Sequence, residues 1–385
     1  MGGAHRRFLF EYDASNDQEA TSQSNLAAIQ KYNQAITHIM PLMTSQTPET
    51  LRTTIICCII FICIENLHGR YADSVRHLHA ACHLLNSLHL EQRGGNQTRD
   101  EYNLLNIVTG MVHKLGRKVA MYLGDDLFFI PDFPSQTVEP GDPLVPFSSF
   151  GEADQLLRSI DSLYSDFALA PDGTGEWSHS GHFHNRRWDY PVPPITNPSA
   201  RAVVLDTTRS SLEVWDRRFE LLQQLQNAST NPLTKEQQRQ NAVLSLNQSF
   251  WSSILKLQTT GQQLQEEDCE AILQRAQTFV DIEATSEKRN HPVFAFDGDL
   301  IPSLYIVCCF CKNVDILRRA VSMLRLLRRR EGIWDSDEVA GICETMLSAR
   351  QKDLPPGGNF AISELQGLSQ SGIPGIANPP FYTLC

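Results

Sequence analysis

The densest group of side chains able to bind a metal or move a proton is His179, His182 and His184, with Trp177, Trp188 and Asp189 close by. A His-x-x-His-x-His spacing can gather imidazoles around a metal if the segment folds back, and a neutral imidazole is a general base near pH 7. The spacing is not that of the familiar metalloenzyme helix and fixes no partner carboxylate, so a polar loop that happens to be rich in histidine is the competing reading, and no metal is assigned. A second group, His291, Asp297, Asp299 and Tyr305, lies just ahead of and inside an apolar helical stretch. A carboxylate there either caps the helix or sits at a pocket mouth with a raised pKa, and capping is the expectation.

Three further constellations have plainer readings. His79 and His83 are four residues apart on one helix, with His77 and His89 nearby. Such a pair can hold a metal, but packing beside the apolar stripe with hydrogen bonds to a neighbouring helix is the expected role. Cys308 and Cys311 form Cys-x-x-Cys on an apolar helix with no second trio at zinc-binding spacing, which points to a buried structural pair. The basic run Arg318, Arg319, Arg325, Arg328, Arg329 and Arg330 suggests an import signal or a phosphate patch, but acidic neighbours such as Glu331 and Asp335 are expected to pair with it inside the fold. The sequence has no glycine-rich phosphate loop, nucleophile elbow, His-Glu-x-x-His or dinucleotide fingerprint, so no cofactor is expected.

Helices must position these groups. Ile29, Tyr32, Ile36, Ile39 and Met40 recur at helical spacing; Thr47, Pro48 and Glu49 then supply a cap, a first-turn proline and a favourable charge for the next helix. That helix is apolar on nearly every side and stops near Gly69, after which Tyr71, Val75, Leu78, Cys82 and Leu85 form the stripe of a partner, giving a helical hairpin. The same period returns in 104–123, 152–168, 203–225, 237–257, 269–282, 299–311, 315–327 and 337–351. No alternating stretch is long enough to compete as a sheet. The expected fold class is all-α, a large multi-helix domain of packed antiparallel hairpins over 25–352. It is interrupted by a Gly- and Pro-rich loop at about 170–199, preceded by an extension at 1–24, and followed by a Pro/Gly-rich tail at 353–385.

Composition narrows the partners. The 385 residues carry a formal charge of −11, which repels a phosphate backbone on average. The 10 cysteines are scattered or adjacent inside apolar runs, a poor disulfide framework, and the N-terminus shows neither a signal peptide nor a myristoylation pattern. An intracellular protein of nucleus or cytoplasm is expected. The most hydrophobic run, 54–64, is about half the roughly 20 residues that cross a bilayer, so no membrane partner is expected.

Two blocks resemble the helical region that follows the DNA-binding segment of fungal zinc-cluster transcription factors. Phe61, Glu65, Gly69 and Tyr71 fit that family's Phe-x-x-x-Glu-x-x-x-Gly-x-Tyr turn. Near the other end, FDGDLIPSLY is similar to its Ile-Pro-Pro-Leu-Tyr helix with Ser303 for the second proline, and Arg329 to Ser336 spell its Arg-Arg-Glu-Gly-Ile-Trp-Asp-Ser signature. The six-cysteine zinc cluster of the family has no counterpart in these residues, so direct DNA binding does not carry over.

The resemblance implies a fungal-specific regulatory or effector domain that binds a small metabolite or a protein partner, a second copy of itself included. The alternative is an enzyme of fungal secondary metabolism that reuses the helical body for a cofactor-independent cyclisation or isomerisation. His179, His182, His184, Asp297, Asp299 and Tyr305 would then be the catalytic candidates. A third reading places a zinc cluster upstream of Met1.

Overall fold

The computed structural model of the chain describes residues 30–39, 41, 47–92, most of 104–119, 139–168, 198–260, 264–284, 292–296 and 298–351. His179, His182, His184, His291 and Asp297 lie outside these residues, as do the extension at 1–24, positions 170–197 of the expected loop and the tail at 353–385. The chain divides into two compact units, one formed by Asp126–Pro232 and the other by the flanking parts, Met1–Asp125 with Leu233–Cys385.

In the larger unit, α1 spans Pro48–Leu67 and begins as its sequence dictates. Thr47 is the N-cap, its hydroxyl accepting from the Thr50 amide at 3.4 Å, with Pro48 in the first turn and Glu49 at the positive end of the helix dipole. The corner at Gly69 has φ +67°, a left-handed conformation that costs glycine nothing, and the Arg70 amide closes it on the Glu65 carbonyl at 2.9 Å. The chain then enters α2, Tyr71–Gln92. Ile55, Ile62 and Leu67 on the first helix and Leu78, Ala81 and Leu85 on the second are fully buried.

By length and composition α1 is the one helix among the described residues that is long and apolar enough to cross a membrane, and 61% of its apolar window is buried within the fold. It is longer than its apolar run at 54–64 because the cap and the corner, rather than hydrophobicity, set its ends.

The C-terminal part of the same unit is built from α5 (Lys235–Thr260), α6 (Glu266–Ala284), β1 (Val293–Ala295), α7 (Leu300–Phe310), α8 (Val314–Leu327), β2 (Arg329–Glu331), β3 (Trp334–Asp335) and α9 (Ser336–Gln351). A capping box starts α5: the Thr234 amide donates to Gln237 Oε1 at 2.9 Å, and the Gln237 amide donates back to Thr234 Oγ1 at 3.3 Å. Helix α7 is apolar on every face and packs against α5, α6, α8 and α9. It must be buried on all sides, and Leu300 to Cys308 all are.

The smaller unit holds α3 (Phe150–Ala168) and α4 (Pro198–Ala228), so the expected loop yields to helix by Pro198. Trp215 donates its indole N–H to the Ala153 carbonyl at 2.7 Å and stacks on Phe219 at 4.8 Å between ring centres. Arg218 gathers the segment that precedes α3. Its guanidinium reaches the Pro140 carbonyl at 2.8 Å, the Val145 carbonyl at 2.9 Å and Glu152 Oε1 at 2.8 Å, and lies over the Phe147 ring at 4.1 Å.

The protein is mostly helical, and one feature departs from the all-α expectation: β1, β2 and β3 form a small three-stranded sheet in that order. Strand β2 pairs in parallel with β1 and antiparallel with β3. The β2–β3 connection is two residues long, with Gly332 at φ +60° in its first position. Strands of three, three and two residues are too short to show an alternating pattern, so the periodicity that reports longer strands is silent here.

Candidate functional site

The residues expected to do chemistry near α7 are organised by the sheet. Helix α8 ends where Arg328 turns left-handed, at φ 43°, and the chain passes directly into β2. The pleat sends successive side chains to opposite faces, so Arg329 and Arg330 part company. Arg329 donates to Glu331 Oε1 at 2.6 Å and to Glu283 Oε2 at 2.7 Å, and its guanidinium lies 5.4 Å from the centre of the Phe279 ring. Burial by itself would lower its pKa, but Glu331 and Glu283 outweigh that and raise it. Arg330 makes a two-pronged contact with Asp335 Oδ2 at 3.0 and 2.8 Å, and its remaining terminal nitrogen donates to the carbonyls of Asn66 and Leu67 at 3.0 and 3.2 Å.

Each acidic partner also holds a helix start. Asp335 Oδ1 accepts from the amides of Asp337 at 2.9 Å and Glu338 at 3.4 Å, which makes it the cap of α9. Glu331 Oε2 accepts from the Ile301 amide at 3.0 Å, at the first turn of α7. That approach requires Gly298: a β-carbon there would stand 2.0 Å from Glu331 Oε1. Glu331 is completely buried, with Arg329 at 3% and Arg330 at 7% exposure. Charges so deep are tolerable only because every one is paired and hydrogen-bonded.

Asp299 therefore does not perform the capping expected of it. It occupies the N-cap position of α7 without a side-chain hydrogen bond to the helix, and its carboxylate faces Lys114 at 3.7 Å. Glu331, 30 residues beyond the Ile301 amide that it accepts from, supplies the capping carboxylate instead. Tyr305 is buried with its ring edge-on to Trp334 at 5.4 Å, and burial pushes the thiol of Cys309, one turn along the same helix, up to about 12. Six residues of helix, roughly 9 Å of rise, separate Asp299 from Tyr305, so the two do not converge on one point.

The other constellations resolve as follows. Cys308 and Cys311 are both buried, and the Cys311 thiol at the C-cap of α7 donates to the Asn313 carbonyl at 3.9 Å. Among the described residues no group of three or more His, Cys, Asp or Glu side chains is placed to hold a metal. On α2 it is His77 rather than His79 or His83 that is drawn into the fold. Its Nε2 is 3.1 Å from the Tyr32 hydroxyl, both rings pack on Phe61, and burial lowers its pKa. The His79 and His83 side chains are largely exposed, although partial burial still lowers the pKa of His79.

Five of the six arginines of the basic run are held in ion pairs: Arg318 with Asp315, Arg319 with Glu270, Arg325 with Glu344 and Asp337, Arg329 with Glu331 and Glu283, and Arg330 with Asp335. Sequence reasoning anticipated Glu331 and Asp335. It missed Glu283, Gly298 and Arg218; Gly298, between two acidic positions at a helix start, was the one with a readable signal. Comparison of the chain with models of protein families, with curated proteins and with solved structures finds no match.

Proposed function

We propose that the chain is a regulatory or effector domain of the type that follows the zinc cluster in fungal transcription factors, acting by binding a small metabolite or docking a protein partner, without contacting DNA itself. An architecture of stacked antiparallel helical hairpins with a long connection at 170–197 goes with this reading, as does a place in the nucleus or cytoplasm. The observation that carries it is the use made of Arg329 to Ser336, the most specific block of the resemblance. Arg329, Arg330, Glu331 and Asp335 satisfy one another and the ends of α1, α7 and α9, a scaffolding role that leaves none of them for a reaction. Asp299 and Tyr305, the described candidates for catalysis, lack the nucleophile-and-base geometry that acyl transfer or proton abstraction requires.

The test is incubation of the purified chain with a metabolite extract, removal of free compounds under native conditions, and mass spectrometry of both fractions. A compound retained and recovered unchanged is the expected result. Conversion to a new product, lost in His182→Ala, Asp297→Ala or Asp299→Ala, overturns the regulatory reading in favour of a cofactor-independent cyclase or isomerase. Binding of duplex DNA by this chain at physiological salt overturns the remainder.

A further inference from the structure

The corner of the α1–α2 hairpin carries a titratable cluster that the proposed function does not use, and the helical residues 30–39 lie against it. That short helix is shallowly held. Tyr32, Ala35, Ile36 and Ile39 form a half-buried face at helical spacing, the other positions of 30–39 are exposed, and none of them is fully buried. Tyr32 anchors it. The tyrosine ring stands edge-on to Phe61 at 4.9 Å between ring centres, its hydroxyl is 3.1 Å from His77 Nε2, and the Arg70 guanidinium lies 5.8 Å from its ring centre. From α2 the His77 ring packs on the same buried Phe61 at 5.1 Å.

We propose that helical residues 30–39 form a pH-gated flap, docked on the α1–α2 hairpin while His77 is neutral and released when its imidazole takes up a proton, which uncovers the part of Phe61 beneath Tyr32. The charges around the imidazole are already committed. Glu65 of α1 is held by Arg70 at 2.6 Å, and Asp73 of α2 by Arg76 at 2.6 Å, so each of these carboxylates has a guanidinium of its own. The flap offers His77 the uncharged Tyr32 hydroxyl; its Lys31 turns to Gln34 at 3.2 Å, and its His38 is exposed. An imidazolium formed here would be half-buried beside two aromatic rings, near two arginines, with the neighbouring carboxylates neutralised.

The hydrogen bond does not decide the outcome, because a protonated ring can still donate from Nε2 to the hydroxyl. Hydration decides it. Tyr32 covers the imidazole in the docked form, and its departure returns the ring to water, where the charged form is favoured. Burial accordingly lowers the His77 pKa below its ordinary 6.5, with Asp73 opposing in part and Arg76 and Arg70 adding to the fall. The docked form therefore has its full advantage above 6.5 and loses it as pH falls from there through the lowered value. Mild acid opens the flap, whether the chain binds a metabolite or a protein partner.

Hydrogen–deuterium exchange of the full chain, corrected for the intrinsic pH dependence of amide exchange, tests the gate between about pH 7.5 and about pH 5.5. Protection of the peptide covering 30–39 is expected to fall several-fold over that range while peptides of α5 and α6 keep theirs. His77→Gln leaves Tyr32 a polar partner that cannot charge, so its protection should not change with pH.

Constant protection of 30–39 in the wild type overturns the proposal, as does an equal fall across α5 and α6. A pH dependence that persists in His77→Gln overturns it too, and its loss in His38→Gln or His79→Gln would then name the group responsible. Should His77→Gln not fold, NMR titration of the His77 ring decides. Its midpoint is expected below 6.5 in the wild type and closer to 6.5 in Tyr32→Ala; the same midpoint in both chains overturns the gate.

Discussion

Arg330 reaches across 264 residues of sequence to the carbonyl of Asn66, joining the C-terminal sheet to the last turn of the first described long helix. The bond puts a cation at the negative end of α1, where the carbonyls lack helical partners. The same guanidinium is neutralised by Asp335, which in turn caps α9. One buried side chain thus ties three elements.

Arg330→Ala is expected to destabilise the larger unit by about 3–5 kcal/mol, the range for stranding the partner of a buried charge pair. Arg330→Lys should recover only part of this, because an ammonium cannot hold Asp335 with two nitrogens and reach the α1 carbonyls as well. Urea unfolding followed by far-UV circular dichroism checks both. Equal stability of Ala and wild type would show that the network is dispensable.

Gly298→Ala is expected to cost several kcal/mol, since the new β-carbon would collide with the Glu331 carboxylate. The cost should be strongly non-additive with Glu331→Ala, which removes the obstacle along with the ion pair. A double-mutant cycle on thermal unfolding measures it; simple additivity would place Glu331 elsewhere.

Asp299→Ala and Tyr305→Phe should each change stability by no more than about 1 kcal/mol. The first loses a long, 3.7 Å pair with Lys114 in which both side chains are partly buried, and the second keeps its ring against Trp334. Retention of a bound metabolite should survive both changes. Abolished turnover in either variant would return these positions to the catalytic role expected of them.

The Glu152 pKa is lowered, first by the Ser148 hydroxyl and then by the Ser148 amide and Arg218, against a smaller opposing effect of burial. A carboxylate depressed on folding contributes stability above its unfolded pKa of 4.5, and the contribution is lost as pH falls through the lower folded value. Unfolding midpoints measured from pH 6 down to about 3 should fall more steeply for wild type than for Glu152→Gln, with the two curves converging at the acid end. Parallel curves would contradict the assignment.

What the sequence disclosed was whatever short-range physics controls. Thr47, Pro48 and Gly69 set helix ends within a few residues of themselves, and the starts of α2, α8 and α9 fall within a residue of where the period places them. Arg329 and Arg330 sit beside their partners Glu331 and Asp335, so that pairing too was legible. The cap of α7 was not, because Asp299 is the local candidate and Glu331 acts from 30 residues away through a sheet too short to leave a pattern. Arg218 was hidden for the same reason: its acceptors lie 66 to 78 positions distant.

Helix α7 contains no charged residue, and an apolar cylinder packed on all sides has little of its own to tell one end from the other. Its dipole does, and both poles are met by one short stretch of chain, with Glu331 at the amide end and Arg350 at the carbonyl end. Running α7 in the opposite direction would set like against like at each pole. The stretch from 331 to 350 therefore works as a polarity key, fixing by electrostatic sign a direction that hydrophobic packing alone would leave undetermined.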